Sequence, residues 1–211
     1  MTLPDPPVLL ITDRHMAEAP ITDLVAAAVD GGCRWILIRE KDLADDALAA
    51  LVREIRDRTH RESPVISVSG SAATAVAAGA AGVHFSQTLA TAAEIASART
   101  LLRRHALIGV SAHGRAEALA AQDNGADYVS MSPVYLTDSK PGYGPALEPA
   151  GFRRETGDLT IPALALGGIS AGRLAAVKNA GAAGAAVMGS VMRAADPADA
   201  MRRLIDAWRA A

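Results

Sequence analysis

A short segment of the chain combines hydroxyl groups with a lysine. Residues 137–140 read Thr-Asp-Ser-Lys, and proline and glycines follow at 141, 142 and 144. Lysine supplies positive charge, and small residues let backbone N–H groups approach an anion. We therefore predict a phosphate-binding loop with Thr137 and Lys140 among its ligands. A solvated surface turn is the alternative.

Two glycine-bearing segments in the last quarter of the chain could serve the same chemistry. They are Gly167–Gly168 and Gly189–Ser190, and each follows an apolar stretch. Glycine lets the backbone come close to a phosphate, because no Cβ stands in the way. We predict that both segments contribute to a phosphate site. A tight turn without a ligand is the alternative.

Basic side chains occur with alternate spacing after another apolar stretch. Arg39 and Lys41 are separated by one residue, so they share a face of any strand that carries them. Together with Lys140 they predict a positive, anion-binding rim. The alternative is that Arg39 only forms an ion pair with its neighbour Glu40.

Two histidines follow apolar segments and are candidates for proton transfer or ligand binding. His84 lies in the sequence GVHF, and His113 shares a strand face with Ser111. For His84 the alternative is a hydrogen-bonded histidine near a rim. For His113 the alternative is a cap on the next helix.

Strand and helix patterns alternate along the whole chain, and they must position these residues. The predicted strands are 8–13, 35–40, 65–69, 82–85, 107–113, 128–134, 163–169 and 184–189. The predicted helices are 21–32, 45–61, 71–78, 91–102, 115–124, 148–155, 170–179 and 198–210. Eight such pairs in one domain, residues 1–211, predict a (β/α)₈ barrel; a flavodoxin-like sheet would leave three strands unexplained.

The barrel prediction brings the candidates together, because side chains after parallel strands lie at one mouth of such a barrel. We therefore expect the predicted residues around one opening. They are Arg39, Lys41, Ser69, His84, Ser111, His113, Thr137, Lys140, Gly167, Gly168, Met188, Gly189 and Ser190.

Composition excludes several other classes of protein. The 211 residues carry a net charge of −2 without a basic stripe, which argues against nucleic-acid binding. Cys33 is the single cysteine, so the chain has no internal disulfide. The apolar run near the N-terminus is too short for a signal peptide or a membrane span. We expect a cytoplasmic protein without membrane attachment.

Seven segments of the chain resemble, in order, those of the thiamine phosphate synthase superfamily, which includes true synthases and thiazole tautomerases. The segments read LLITD, LIREKD, AAGAAGVHFSQ, IGVSAH, GADYVSMSPVYLTDSK, IPALALGGI and AGAAGAAVM. The resemblance implies a small phosphate-bearing substrate and a homodimer. It further implies that Arg39, Lys41 and Lys140 contact anionic groups with Ser111 and Thr137 as hydroxyl partners.

The same resemblance places a thiazole phosphate at Gly167–Gly168 and Met188–Gly189–Ser190, but the chain departs from the synthases elsewhere. Those enzymes read Asn-Asp-Arg after the third strand and Gly-Gln-x-Asp after the fourth, and the two aspartates are the expected Mg²⁺ ligands. This chain has Ser69-Gly70-Ser71 and Ser86-Gln87-Thr88-Leu89 there. Since Mg²⁺ is usually held by one or two carboxylates and substrate phosphates, we predict no bound metal and no cofactor.

From these departures we predict a metal-independent isomerase similar to the thiazole tautomerases. Its proton transfer needs a general acid/base, and the histidine expected after the sixth strand is Pro133 here. His113 and His84, with unperturbed pKa values near ~6.5, are the substitutes, with Ser111 beside them. One alternative is an active, Mg²⁺-using synthase that joins a pyrimidine diphosphate to a thiazole phosphate. Another is a non-catalytic binder of thiazole or thiamine phosphate.

Overall fold

Eight parallel strands close into a barrel in the order in which they occur along the chain. Each strand pairs with the next, and the eighth pairs with the first through Val8 and Ala185. A helix follows every strand. The computed structural model describes residues 2–137 and 144–211. The predicted (β/α)₈ barrel is confirmed.

The strands are short and the helices vary in length. The strands are β1 Val8–Ile11, β2 Trp35–Ile38, β3 Val65–Ser69, β4 Gly82–Phe85, β5 Leu107–Ala112, β6 Tyr128–Met131, β7 Ala163–Leu166 and β8 Gly184–Val187. The helices are α1 Ile21–Asp30, α2 Asp45–Arg58, α3 Ala72–Ala77, α4 Ala92–Leu101, α5 Arg115–Asp123, α6 Glu148–Thr156, α7 Leu174–Asn179, α8 Gly189–Met192 and α9 Pro197–Ala210. Two 3₁₀ turns occupy Arg14–Met16 and Ala171–Arg173.

Six strands end one to three residues earlier than the sequence pattern predicts. After β2, for example, the Arg39 backbone N–H donates to the Thr12 side-chain hydroxyl at 3.0 Å and not to a strand. Helix α8 was not predicted, since one turn of four residues is too short to show a period of 3.6. The residues after the strands are therefore loop residues with side chains free to face the mouth.

The outer layer of the fold consists of amphipathic helices packed on the outward faces of the strands. Helix α9 shows the pattern most clearly: Met201, Leu204, Ile205 and Trp208 recur at intervals of three and four residues and are buried. Its N-cap, Asp196, accepts a hydrogen bond from the backbone N–H of Asp199 at 2.9 Å. None of the helices within the described ranges is both long enough and apolar enough to cross a membrane.

Aromatic side chains fill the barrel interior beneath the mouth. Tyr128 and Trp35 are fully buried, with ring centroids 4.8 Å apart in an edge-on arrangement. Gly109 of β5 makes room for them, because a Cβ at this position would lie 2.1 Å from Tyr128 Cζ and 2.5 Å from His84 Nδ1. The absence of a side chain at Gly109 therefore fixes where Tyr128 and His84 sit.

Candidate active site

A cavity of about 560 Å³ opens where the strands end at the C-terminal mouth of the barrel. Its volume falls within the usual range for small-molecule sites. Twelve of the predicted site residues line it: Arg39, Lys41, Ser69, His84, Ser111, His113, Thr137, Gly167, Gly168, Met188, Gly189 and Ser190. The remaining one, Lys140, lies outside the described residues.

Charge is unevenly distributed around this mouth. Among the described residues, the lining carries four basic side chains and one carboxylate, a net excess of three positive charges. These are Arg39, Lys41, Arg173, Arg193 and Asp13, and they follow β2, β7, β8 and β1. Strands β2 and β7 are three strand spacings apart, roughly 14 Å along the barrel wall. The lining after β3 to β6 instead consists mainly of hydroxyls, an amide and histidines.

After β2 successive side chains point alternately into and away from the cavity, which separates opposite charges that are adjacent in sequence. Arg39 and Lys41 line the cavity, whereas Glu40 points away from it and is buried. The Glu40 carboxylate accepts hydrogen bonds from the Thr12 hydroxyl at 2.6 Å and from the Arg14 guanidinium at 3.1 Å. The alternative pairing of Glu40 with Arg39 is therefore not what the structure shows.

The Arg14 guanidinium extends this network to the next acidic residue. It donates to both carboxylate oxygens of Asp42, at 2.8 and 2.5 Å, and this hydrogen bonding lowers the pKa of Asp42 to about 2. Arg14 thus occupies both carboxylates that flank Lys41. As a result, neither Glu40 nor Asp42 neutralises the cations that face the cavity.

His84 lies at the floor of the cavity in a network of neutral hydroxyl groups. Its Nδ1 is 3.0 Å from the Tyr128 hydroxyl, and its Nε2 is 3.0 Å from Ser111 Oγ and 3.2 Å from Ser130 Oγ. Burial, and secondarily the charge of Arg39, lowers the pKa of His84 to about 4. The expectation of a pKa near neutrality is thus wrong for His84. At neutral pH its imidazole is uncharged and holds Ser111 in place.

His113 occupies the rim above this network. Its Nδ1 is 3.0 Å from the backbone carbonyl oxygen of Ser132, and its backbone N–H donates to Glu117 at 2.8 Å. Gly114, not His113, is the N-cap residue of α5. The capping alternative for His113 is therefore wrong.

The two glycines after β7 are required by close packing against the segment after β6. Gly168 has φ +61°, and a Cβ there would lie 2.6 Å from the Leu136 carbonyl oxygen and 2.8 Å from Tyr135 Cβ. Tyr135 in turn donates its backbone N–H to the Gly167 carbonyl oxygen at 3.0 Å. The tight turn at Gly167–Gly168 therefore also forms part of the cavity wall.

Five contributors to the site were not predicted: Arg14, Tyr128, Ser130, Arg173 and Arg193. Ser130 lies two positions after the inward-facing Tyr128 of β6, so strand alternation was a usable signal. Arg173 and Arg193 lie five residues or more beyond the ends of β7 and β8, and only short helical turns bring them back to the mouth. No sequence signal identified Arg14 as the partner of Glu40.

The described residues do not fit a resident Mg²⁺ site. Asp13 is the one carboxylate in the described lining, and its Oδ1 already accepts the His15 backbone N–H at 3.1 Å. Gly70 and Leu89 stand at the positions of the two expected aspartates, and the nearby side chains that line the cavity, Ser69 and Gln87, are neutral. Within residues 2–137 and 144–211, no group of three or more His, Cys, Asp or Glu side chains could hold a metal ion.

Taken together, the fold and the site define a (β/α)₈ enzyme with a cationic cavity at its C-terminal mouth, suited to phosphate-bearing small molecules. Comparison with known proteins gives the family. The thiamine monophosphate synthase family matches residues 8–191, and the chain belongs to this family. A protein of Geobacter sulfurreducens is 40% identical over 200 residues, covering 93% of this chain and 91% of the relative.

Two further matches, one protein and one solved structure, also cover nearly the whole chain. The thiamine-phosphate synthase of Chlorobium limicola is 36% identical over 204 residues, with 96% of this chain and 94% of that protein covered. The structure of thiamine phosphate pyrophosphorylase from Pyrococcus furiosus superimposes with a TM-score of 0.83 and 27% identity, covering 96% and 95% of the two chains. These names favour the synthase alternative over the tautomerase prediction.

Proposed function

We propose that this enzyme is a thiamine-phosphate synthase, which joins a pyrimidine diphosphate to a thiazole phosphate and releases diphosphate. The observation that carries the proposal is the cationic lining of one cavity, with an excess of three positive charges among its described residues. Both substrates are anions, and about 560 Å³ is ample for two small molecules in contact. Relatives that cover more than nine-tenths of the chain bear the same name.

The cationic part of the lining and the part that carries hydroxyl groups suit different tasks in this reaction. When the C–O bond of the pyrimidine diphosphate breaks, negative charge increases on the departing diphosphate. Arg39 and Lys41 are placed to stabilise that charge, because Glu40 and Asp42 are engaged by Arg14. Ser111, hydrogen-bonded to the neutral His84, offers a hydroxyl group on the other side of the cavity. We assign no step to a metal ion.

Product analysis tests the proposal directly. We expect thiamine phosphate and diphosphate to form only when both substrates are present, as measured by mass spectrometry. Arg39→Gln and Lys41→Gln should each raise the KM for the pyrimidine diphosphate by about tenfold, since each removes one charge-assisted contact. Arg53→Gln, an exposed arginine of α2, serves as the control and should leave KM unchanged.

Metal removal provides a second prediction. Since the described residues do not fit a Mg²⁺ site, we expect EDTA to leave the affinity for thiazole phosphate unchanged. Product formation should fall by less than about tenfold under the same conditions. A hundredfold or larger loss, restored by Mg²⁺, would show that a carboxylate at Asp13 or beyond the described residues holds the ion.

The tautomerase alternative is supported by one observation, the lack of a carboxylate pair after β3 and β4. His113 is then the candidate acid/base, since His84 is neutral and engaged at both ring nitrogens. Isomerisation of the carboxylated thiazole phosphate, with no product from the synthase assay, would establish this alternative and exclude the synthase.

A further inference from the structure

Arg173 is held rigidly at the β7 side of the cavity. One of its Nη atoms donates to the Gly168 carbonyl oxygen at 2.7 Å, and its guanidinium carbon lies 4.3 Å from the centre of the Tyr135 ring. A stacked guanidinium keeps its orientation at little further entropic cost. Within residues 2–137 and 144–211, Gly168 is the single acceptor bonded to this guanidinium, so among these residues its other donors are left for a ligand.

Arg193 reaches the same region from the end of α8. The single hydrogen bond of its guanidinium within the described ranges is a contact of 3.3 Å to the thioether sulfur of Met16, which is a weak acceptor. It lines the cavity with Gly189 and Ser190, while Arg173 does so with Gly167 and Gly168. Neither guanidinium forms a salt bridge with any carboxylate of residues 2–137 and 144–211.

We infer that Arg173 and Arg193 bind the phosphate group of the thiazole substrate directly, as a pair of side-chain donors that selects a dianion. The inference rests on the proposed function for the identity of the substrate. Two unneutralised guanidinium groups beside one concave wall match the charge of a phosphate monoester. The planar fork of arginine matches phosphate oxygens better than a point charge does.

Ligand titrations with two matched compounds test this assignment. Calorimetry at pH 7.5 would compare thiazole phosphate with its dephosphorylated alcohol for the wild type and for Arg173→Gln and Arg193→Gln. We expect each variant to bind thiazole phosphate about tenfold more weakly and the alcohol within about twofold of the wild type. Arg202→Gln, an exposed arginine on α9, is the control and should change neither affinity.

A lysine at position 173 separates charge from geometry. Arg173→Lys retains the charge but loses the fork and the stacking on Tyr135, so about a threefold loss for thiazole phosphate is expected. Thermal unfolding of each variant checks that the barrel is intact. A merely structural role of Arg173 at the Gly168 carbonyl would weaken both ligands to the same extent, and that result would overturn the inference.

The inference and the proposed function fail in different ways. If the synthase assay gives no product but the two arginine variants lose affinity for thiazole phosphate alone, the phosphate assignment stands and the reaction does not. If the assay gives product and the preference for thiazole phosphate over the alcohol is unchanged in both variants, the assignment is wrong and the reaction stands. Equal affinity of the wild type for the two ligands would overturn the assignment as well.

Discussion

Replacing Gly109 by alanine is expected to lower the free energy of unfolding by about 3 kcal/mol or more. The added methyl would lie 2.1 Å from Tyr128 Cζ and 2.5 Å from His84 Nδ1, well inside contact distance. Tyr128 cannot move aside, because it is fully buried against Trp35. The substitution must therefore either distort β5 or break the hydrogen bonds between His84 and its hydroxyl partners.

Chemical denaturation of Gly109→Ala beside two companion variants checks the cause. Gly172→Ala is the control, since a Cβ at Gly172 has no atom within 4 Å, and its stability should change by at most about 0.5 kcal/mol. Gly109→Ala combined with Tyr128→Val should recover part of the loss, because the shorter side chain vacates the overlap. A double variant less stable than Gly109→Ala by the full cost of Tyr128→Val alone would refute the steric explanation.

His84 is expected to make the protein less stable in mild acid. Its pKa is about 4 in the folded state, against 6.5 for an unperturbed histidine, mainly because it is buried. Between these pH values the unfolded chain binds more protons at this position than the folded chain does. The stability contribution is therefore fully present above pH 6.5 and is lost as the pH falls from 6.5 to 4. The difference of pKa corresponds to about 3 kcal/mol.

The measurement is the free energy of unfolding at several pH values between 7.5 and 4. His84→Gln removes the titrating group, so its curve should be flatter than that of the wild type by about 3 kcal/mol over this range. His105→Gln replaces an exposed histidine and should reproduce the wild-type curve. Parallel curves for His84→Gln and the wild type would mean that His84 has the same pKa in the folded and the unfolded chain, and would contradict this prediction.

Much of the fold was predictable because its determinants are local. Strand and helix periods, together with glycines near helix ends, identified all eight βα pairs. The closed topology followed from their number and order. The strand ends were less predictable, since residues such as Arg39 leave the sheet by bonding to a side chain of another loop.

The site was predictable to the extent that it depends on position after a strand. The predicted residues Ser69, Ser111 and Gly168 line the mouth because each lies within two residues of the end of a strand. Arg173 was missed because a 3₁₀ turn and a stacking contact with Tyr135, both tertiary features, return it to the cavity. The protonation of His84 was mispredicted for a related reason, since burial cannot be read from the four letters GVHF.

The segment 39–42 has a consequence for how this loop can change over evolution. Its residues alternate in charge as Arg-Glu-Lys-Asp, and only the register decides which sign faces the ligand. Inserting or deleting one residue just before Arg39 would exchange the two faces. Glu40 and Asp42 would then enter the cavity, and the same composition would repel anions. A single-residue insertion or deletion would thus change the charge at the cavity wall more than any single substitution does, and natural length variation should begin only beyond Asp42.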